Sequence, residues 1–200
     1  TLLFFGILFI VDSLASTLFS WINTFKIEEA FGFNTTTTKT FVKDTLISFV
    51  LSAVLMGGVL VLVLYLLTQF ETLFLGLTFV ILFSITLFIN LFYVKLIVPL
   101  FNKLTPLEDS DLKAKIEALA KQEGYEVSSI KVMNASKRST KLNAFFSGFG
   151  KFKTVVLFDT LLEAMDDDEI LAVLAHEIGH AKHKDILKNI VNMALMLLSL

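Results

Sequence analysis

Cysteine is absent from this 200-residue chain, which excludes a disulfide framework, a thiolate metal site and a cysteine nucleophile. Any metal chemistry must therefore run on histidine and carboxylates. Net charge is nearly absent too, at −2, and its size says little, but its placement says more. Lys and Arg are scarce in the apolar runs and gather from Lys95 onward. The opening run Thr1–Val11 lacks the charged n-region and small-residue cleavage site of a signal peptide, so it reads as the tail of a spanning helix. With no initial Met, and a stop inside the apolar run IVNMALMLLSL, the chain reads as a fragment. What is abundant is apolar surface: 55% hydrophobic residues, 21 of them Phe, and a mean hydropathy of +0.76. That excess is too large for an ordinary soluble domain and predicts a membrane protein.

Three apolar runs are expected to form helices at about 1–22, 45–67 and 72–95, with a loop at 23–44. Thr45–Leu67 and Thr72–Val94 are each 23 residues without a charge, long enough at helical rise to cross a hydrocarbon core of ~30 Å. The five residues Leu67 to Glu71 leave room only for a tight turn, so these two helices should return on one another. The connection 23–44 holds Lys26, Lys39 and Lys43, the turn holds no basic residue, and the other 14 of 17 lie between Lys95 and Lys188. The positive-inside rule then puts the 23–44 loop and the polar half in the cytoplasm. Asp12, inside the first run, either faces a polar cavity or lies near enough to the interface to be hydrated.

From Pro99 the composition changes, and residues 99–185 read as a separate domain. Thr105 to Ser110 reads as a turn into an amphipathic helix marked by Leu112, Ile116, Leu119 and Ala120 and stopped by Gly124. Ser129–Met133, Ala144–Phe149 and Thr154–Phe158 are short β-favouring runs, with Ser147–Lys151 a candidate hairpin turn. The basic stretch Ser136–Lys141 reads as a solvated loop; an acidic balance without interleaved aromatics argues against nucleic acid. Asp166 and Glu169 have capping-box spacing at the head of a further helix. Residues 186–200 read as the start of another apolar helix.

That capped helix carries His176-Glu177-Ile178-Gly179-His180. Residues i and i+4 share a helix face, so the two imidazoles can reach one metal ion, with Glu177 on the flank. Zinc lowers the pKa of a bound water to about 7, and a carboxylate placed there can take its proton as the water attacks a carbonyl. Spacing alone is moderately specific. The apolar flank Leu171–Ala175 and Ile178-Gly179 mark the helix as largely buried, where two unpaired histidines and a glutamate are costly unless something binds them. His183 lies ~10 Å along the axis from His176 and is too far to share the ion. Zinc needs a third protein ligand, expected beyond Leu200.

The frame AVLAHEIGHAKHKD, with FNKLTPLEDSDLKAKIEALA, SKRSTKLNAFFSGFGKFKTVVLFDTLL and IEEAFGFNTTTTKTF, resembles the CAAX prenyl protease 1 family of integral-membrane zinc peptidases over roughly 12–200. The resemblance implies a mainly α, polytopic membrane protein whose helices accompany a small α+β metallopeptidase domain with a short sheet and the HExxH helix. It implies one Zn2+ per active site on His176 and His180 with a later Glu, Glu177 as catalytic base, and the run Asn143, Ala144, Phe145 and Phe146 beside the zinc, holding substrate backbone as an added strand. It further implies a peptide or protein substrate, prenylated or membrane-embedded, in a bacterial inner membrane or an endoplasmic-reticulum equivalent, with the catalytic domain cytoplasmic. Short loops like those of prokaryotic relatives keep open an HtpX-type quality-control protease. A catalytically silent binding homologue is the competitor from another class, opposed by the intact motif.

Overall fold

The computed structural model describes residues 1–125, 127–147, 153–182, 188, 191–192 and 194–196. The chain forms two compact units, Thr1–Glu71 with Ser136–Thr140, and Thr72–Ala135 with Lys141–Leu200. This division differs from the compositional boundary expected at 98/99.

The first unit is built on two long helices. Helix α1 (Leu2–Ile22) runs into a π-helical turn over Asn23–Glu28. Helix α2 spans Thr38–Gln69, 32 residues. The loop expected at 23–44 is therefore helical at both ends, and α2 begins seven residues before the apolar run does. Its start is set by Thr37, whose hydroxyl accepts the Thr40 N–H at 3.2 Å. At 1.5 Å per residue α2 is about 48 Å long, well beyond a ~30 Å core, so its polar first turns need not lie in hydrocarbon. Phe9 meets Phe49 and Phe25 meets Phe41 across the pair, with ring centroids 5.3 and 5.4 Å apart.

The basic stretch expected to be a solvated loop is instead an integral part of this unit. Asn34 and Ser139 form an isolated antiparallel bridge, and Gly32 turns the chain there at φ +70°. The Arg138 guanidinium donates to both carboxylate oxygens of Asp44, Nε at 2.7 Å and Nη2 at 2.8 Å. Composition could not reveal this, because Asp44 lies 94 residues away.

The second unit begins with helix α3 (Phe74–Leu96), continues through the short α4 (Val98–Phe101), and then forms a mixed α/β body. Strands β1 (Leu104–Pro106), β2 (Ser129–Met133), β3 (Ala144–Ser147) and β4 (Thr154–Phe158) make one sheet in the order β1-β2-β4-β3. β2 and β4 are parallel; β1 and β3 flank them antiparallel. Thr105 and Pro106, expected to turn, form the outer strand, where a missing amide is tolerated. The hairpin turn expected at Ser147–Lys151 lies mostly outside the described residues, as does His183, and so does most of the apolar helix expected at 186–200.

Helix α5 (Asp111–Gln122) starts at Ser110, whose hydroxyl accepts the Lys113 N–H at 3.3 Å. It stops at Gly124, φ +63°, where Tyr125 N–H bonds to the Ala120 carbonyl and Gly124 N–H to that of Lys121. A short α6 (Asp159–Ala164) leads to α7 (Asp167–Lys182), which carries the histidine motif. Ile116, Ile130, Ala144, Val155, Leu157, Leu161, Ile170 and Leu174 pack as one core beneath the sheet and helices α5 and α7. Val94, near the end of α3, and Val98 of α4 pack with Met133 and Val156 of the sheet and with Ala135 just after β2.

Three helical stretches, Leu2–Glu28, Thr38–Gln69 and Phe74–Leu96, are long and apolar enough to cross a membrane. Their exposed residues are mostly large and apolar, as lipid requires, although Asp12 of α1 is exposed as well. The fold is thus a multi-pass membrane protein with a small α+β body.

Candidate active site

The head of α7 is closed by a reciprocal cap. Asp166 Oδ1 accepts the Glu169 N–H at 2.9 Å, and Glu169 Oε2 accepts the Asp166 N–H at 3.0 Å. Asp167 adds an ion pair to Lys115 of α5 at 2.8 Å, which holds the lysine ammonium above its usual value. From this fixed start the helix buries one stripe: Ile170, Leu174 and Ile178 are 2%, 0% and 2% exposed.

That stripe corrects the expectation that the motif itself is buried. His176 and His180 are exposed and Glu177 is half-buried. Two residues along a helix turn a side chain by about 200°, so the seam at 170, 174 and 178 sends 176 and 180 toward the opposite side. The apolar flank marks the core face of the helix and leaves the other face to the chemistry.

On that other face the two imidazoles converge. Nε2 of His176 and Nε2 of His180 stand 3.2 Å apart, with the rings perpendicular and their centroids 4.8 Å apart. Two ligands on a tetrahedral zinc at 2.0–2.1 Å are separated by about 3.3 Å, so the pair fits two corners of such a site. Among the described residues, no third His, Asp or Glu joins them as a three-ligand group.

The sheet edge beside α7 is equally specific. Among the described residues β3 is the last strand of the sheet, pairing with β4 on one side. Phe158 N–H bonds to the Asn143 carbonyl at 3.1 Å, which fixes the phase of this antiparallel ladder. Residues 143, 145 and 147 direct their N–H and C=O to β4, while Ala144 and Phe146 direct theirs to the open side. Ala144 shares the core with Leu174, and Phe146 packs against the cluster that contains Ile178. Strand edge and motif helix are therefore built on common packing. Phe145 spends its main chain on β4 and sets its ring against Phe158, 6.3 Å away. Of the run Asn143–Phe146, the period of two along β3 singles out Ala144 and Phe146 as the outward pair.

Residues 1–103 match the family described as CAAX prenyl protease N-terminal, five membrane helices, and residues 106–200 match Peptidase family M48. The chain belongs to the CAAX prenyl protease 1 family. Among its relatives, CAAX prenyl protease 1 of Saccharomyces cerevisiae is 39% identical over 192 residues, covering 96% of this chain and 42% of the yeast protein. The Homo sapiens homolog is 32% identical, covering 96% of this chain and 48% of its own length. The crystal structure of S. mikatae Ste24p superposes with a TM-score of 0.90 at 40% identity, covering 98% of this chain and 47% of that one. The chain thus spans about half the length of the relatives it matches. Within the CAAX prenyl protease 1 fold, the peptidase-family match covers the histidine pair, Glu177 and the β3 edge together.

Proposed function

We propose that this chain carries part of a zinc-dependent membrane endopeptidase of the CAAX prenyl protease 1 type, acting on the C-terminal region of prenylated peptides. The observation that carries the reading is the 3.2 Å approach of the His176 and His180 Nε2 atoms with Glu177 on the flank. His176 and His180 would hold the zinc together with a carboxylate from elsewhere in the whole protein. Zinc held there supplies a Lewis acid that polarises a carbonyl and acidifies water. Glu177 takes the proton of the attacking water and returns it to the departing amine, so one carboxylate serves as base and then acid. Ala144 and Phe146 form the capture edge with their outward main-chain groups, Asn143 and Phe145 anchor that edge to β4, and a peptide adds as a further strand. The excess of basic residues in the polar half supports a cytoplasmic side for this edge.

The test separates base from ligand in the full-length protein. Glu177→Gln should keep the fold and its zinc while hydrolysis falls by roughly 10² to 10⁴, the range for losing one general base. His176→Ala and His180→Ala should lose metal and activity together. Loss of zinc from the Gln variant would make Glu177 a ligand; full activity in that variant would end the mechanism.

A further inference from the structure

The antiparallel ladder between β3 and β4 continues past the first residue of β3. The register that sets Ala144 opposite Leu157 sets Asn143 opposite Phe158 and, carried back two further places, Lys141 opposite Thr160. Both of those pairs are joined. The Asn143 carbonyl accepts the Phe158 N–H at 3.1 Å, and the Lys141 carbonyl accepts the Thr160 hydroxyl at 2.8 Å, a side chain standing in for a ladder amide as the chain turns into α6. Hydrogen bonding alternates along an antiparallel edge, so with 141, 143 and 145 turned to β4, Leu142 takes the phase of Ala144 and Phe146 and turns its N–H and C=O to the open side. Its side chain falls on the face that Ala144 and Phe146 share, because that face repeats every second residue. The core closes over Ala144, which is 1% exposed, but leaves Leu142 43% exposed between the exposed Lys141 and Asn143. A lone leucine in solvent is ordinary on a protein surface; this one stands in register with a strand edge.

We propose that the capture edge begins at Leu142 and that the Leu142 side chain selects an apolar residue of the peptide. The inference rests on the reading of β3 as the peptide-binding edge, which it lengthens: outward positions at 142, 144 and 146 span about 13 Å, where 144 and 146 alone span about 7 Å. The added position supplies one more N–H and C=O to the peptide main chain. It also supplies a contact that discriminates. Side chains opposite one another on paired strands touch, and a leucine partly in water gains from a partner that removes its remaining apolar surface, whereas a polar partner gains little there. Ala144 is too short and too well covered to read a side chain in this way. Selection at this end of the edge therefore falls to Leu142.

The full-length protein can be tested with farnesylated peptides in which leucine or serine occupies one position at a time along the segment flanking the cut bond. At one position leucine should lower KM relative to serine roughly fivefold in the wild type, and Leu142→Ala should abolish that preference with kcat within about twofold and zinc content unchanged. Leu142→Met keeps an apolar side chain and should keep the preference. A preference that survives in Leu142→Ala at every position, or none in the wild type, would overturn the proposal. Amide exchange separates it from the functional reading. In the Glu177→Gln protein, which binds without rapid cutting, the preferred leucine peptide should slow exchange at Leu142, Ala144 and Phe146 together. Slowing at Ala144 and Phe146 alone keeps the edge and overturns its extension to Leu142; no slowing at any of the three overturns both.

Discussion

At the residue scale, the side chains that matter are placed by neighbours that do no chemistry. The two imidazoles meet because Leu174 and Ile178, two positions before each, are locked into the core. Tyr125 plays a similar part at the end of α5. Its ring stands edge-on to Phe146 at 5.1 Å, and the Lys153 ammonium lies 3.8 Å over its face. Burial raises its phenol above the usual value of 10.0. Since the folded pKa is the higher one, the stability it contributes is complete below pH 10 and lost as pH rises through the folded value. Tyr125→Phe should therefore flatten the alkaline fall in thermal stability while changing little below pH 10. An identical alkaline decline in both proteins would remove Tyr125 as its source. The histidine pair and Glu177 were legible in the sequence because helical period fixes i and i+4 without help from the fold. Their exposure was not, since apolar neighbours on both sides of a motif do not say which face is buried. Arg138 was illegible for a plainer reason: its partner is far away in the chain, and the local composition suits solvent equally well.

At the scale of elements, β2 and β4 coincide with the β-favouring runs because they are central strands, β4 apolar from Val155 to Phe158 and β2 carrying Ile130, Val132 and Met133 around Lys131. β1 escaped notice because Pro106 can sit in an outer strand at a position facing away from β2: Asn134 N–H bonds to the Lys103 carbonyl and Leu107 N–H to that of Ile130, so 103, 105 and 107 are the positions turned to β2. The early start of α2 escaped because its cap, Thr37, lies in a run of four threonines that look alike until a hydrogen bond singles one out. The ladder phase makes a sharper test of β3 than any single substitution. Pro at 144 or 146 removes an outward amide and should raise KM or abolish turnover with zinc unchanged, whereas Phe145→Pro removes a donor to β4 and should destabilise the fold itself. Thermal unfolding beside peptide kinetics would distinguish the two classes. Equal destabilisation by all three would leave β3 an ordinary strand.

At the scale of the whole molecule, the membrane helices were legible from length and charge, and the lack of cysteine gives a clean background for placing their ends. A single cysteine at Glu71, in the turn before α3, should react with an impermeant thiol reagent from the side opposite to one at Glu117 of α5 in sealed vesicles of known orientation. Reaction of both from one side would refute the assigned sidedness. What the linear pattern could not convey is that the first unit is discontinuous. Its loop at residues 32–37 takes its hydrogen-bond partners from Ser136–Thr140, contacts that span about a hundred residues. During synthesis, then, α1 and α2 enter the bilayer with that loop unfinished, and it stays open until the ribosome has delivered Arg138. Contacts of such high order form late and slowly. The first membrane unit therefore matures only after much of the second has been made, and until then the loop at 32–37 is open to proteolysis.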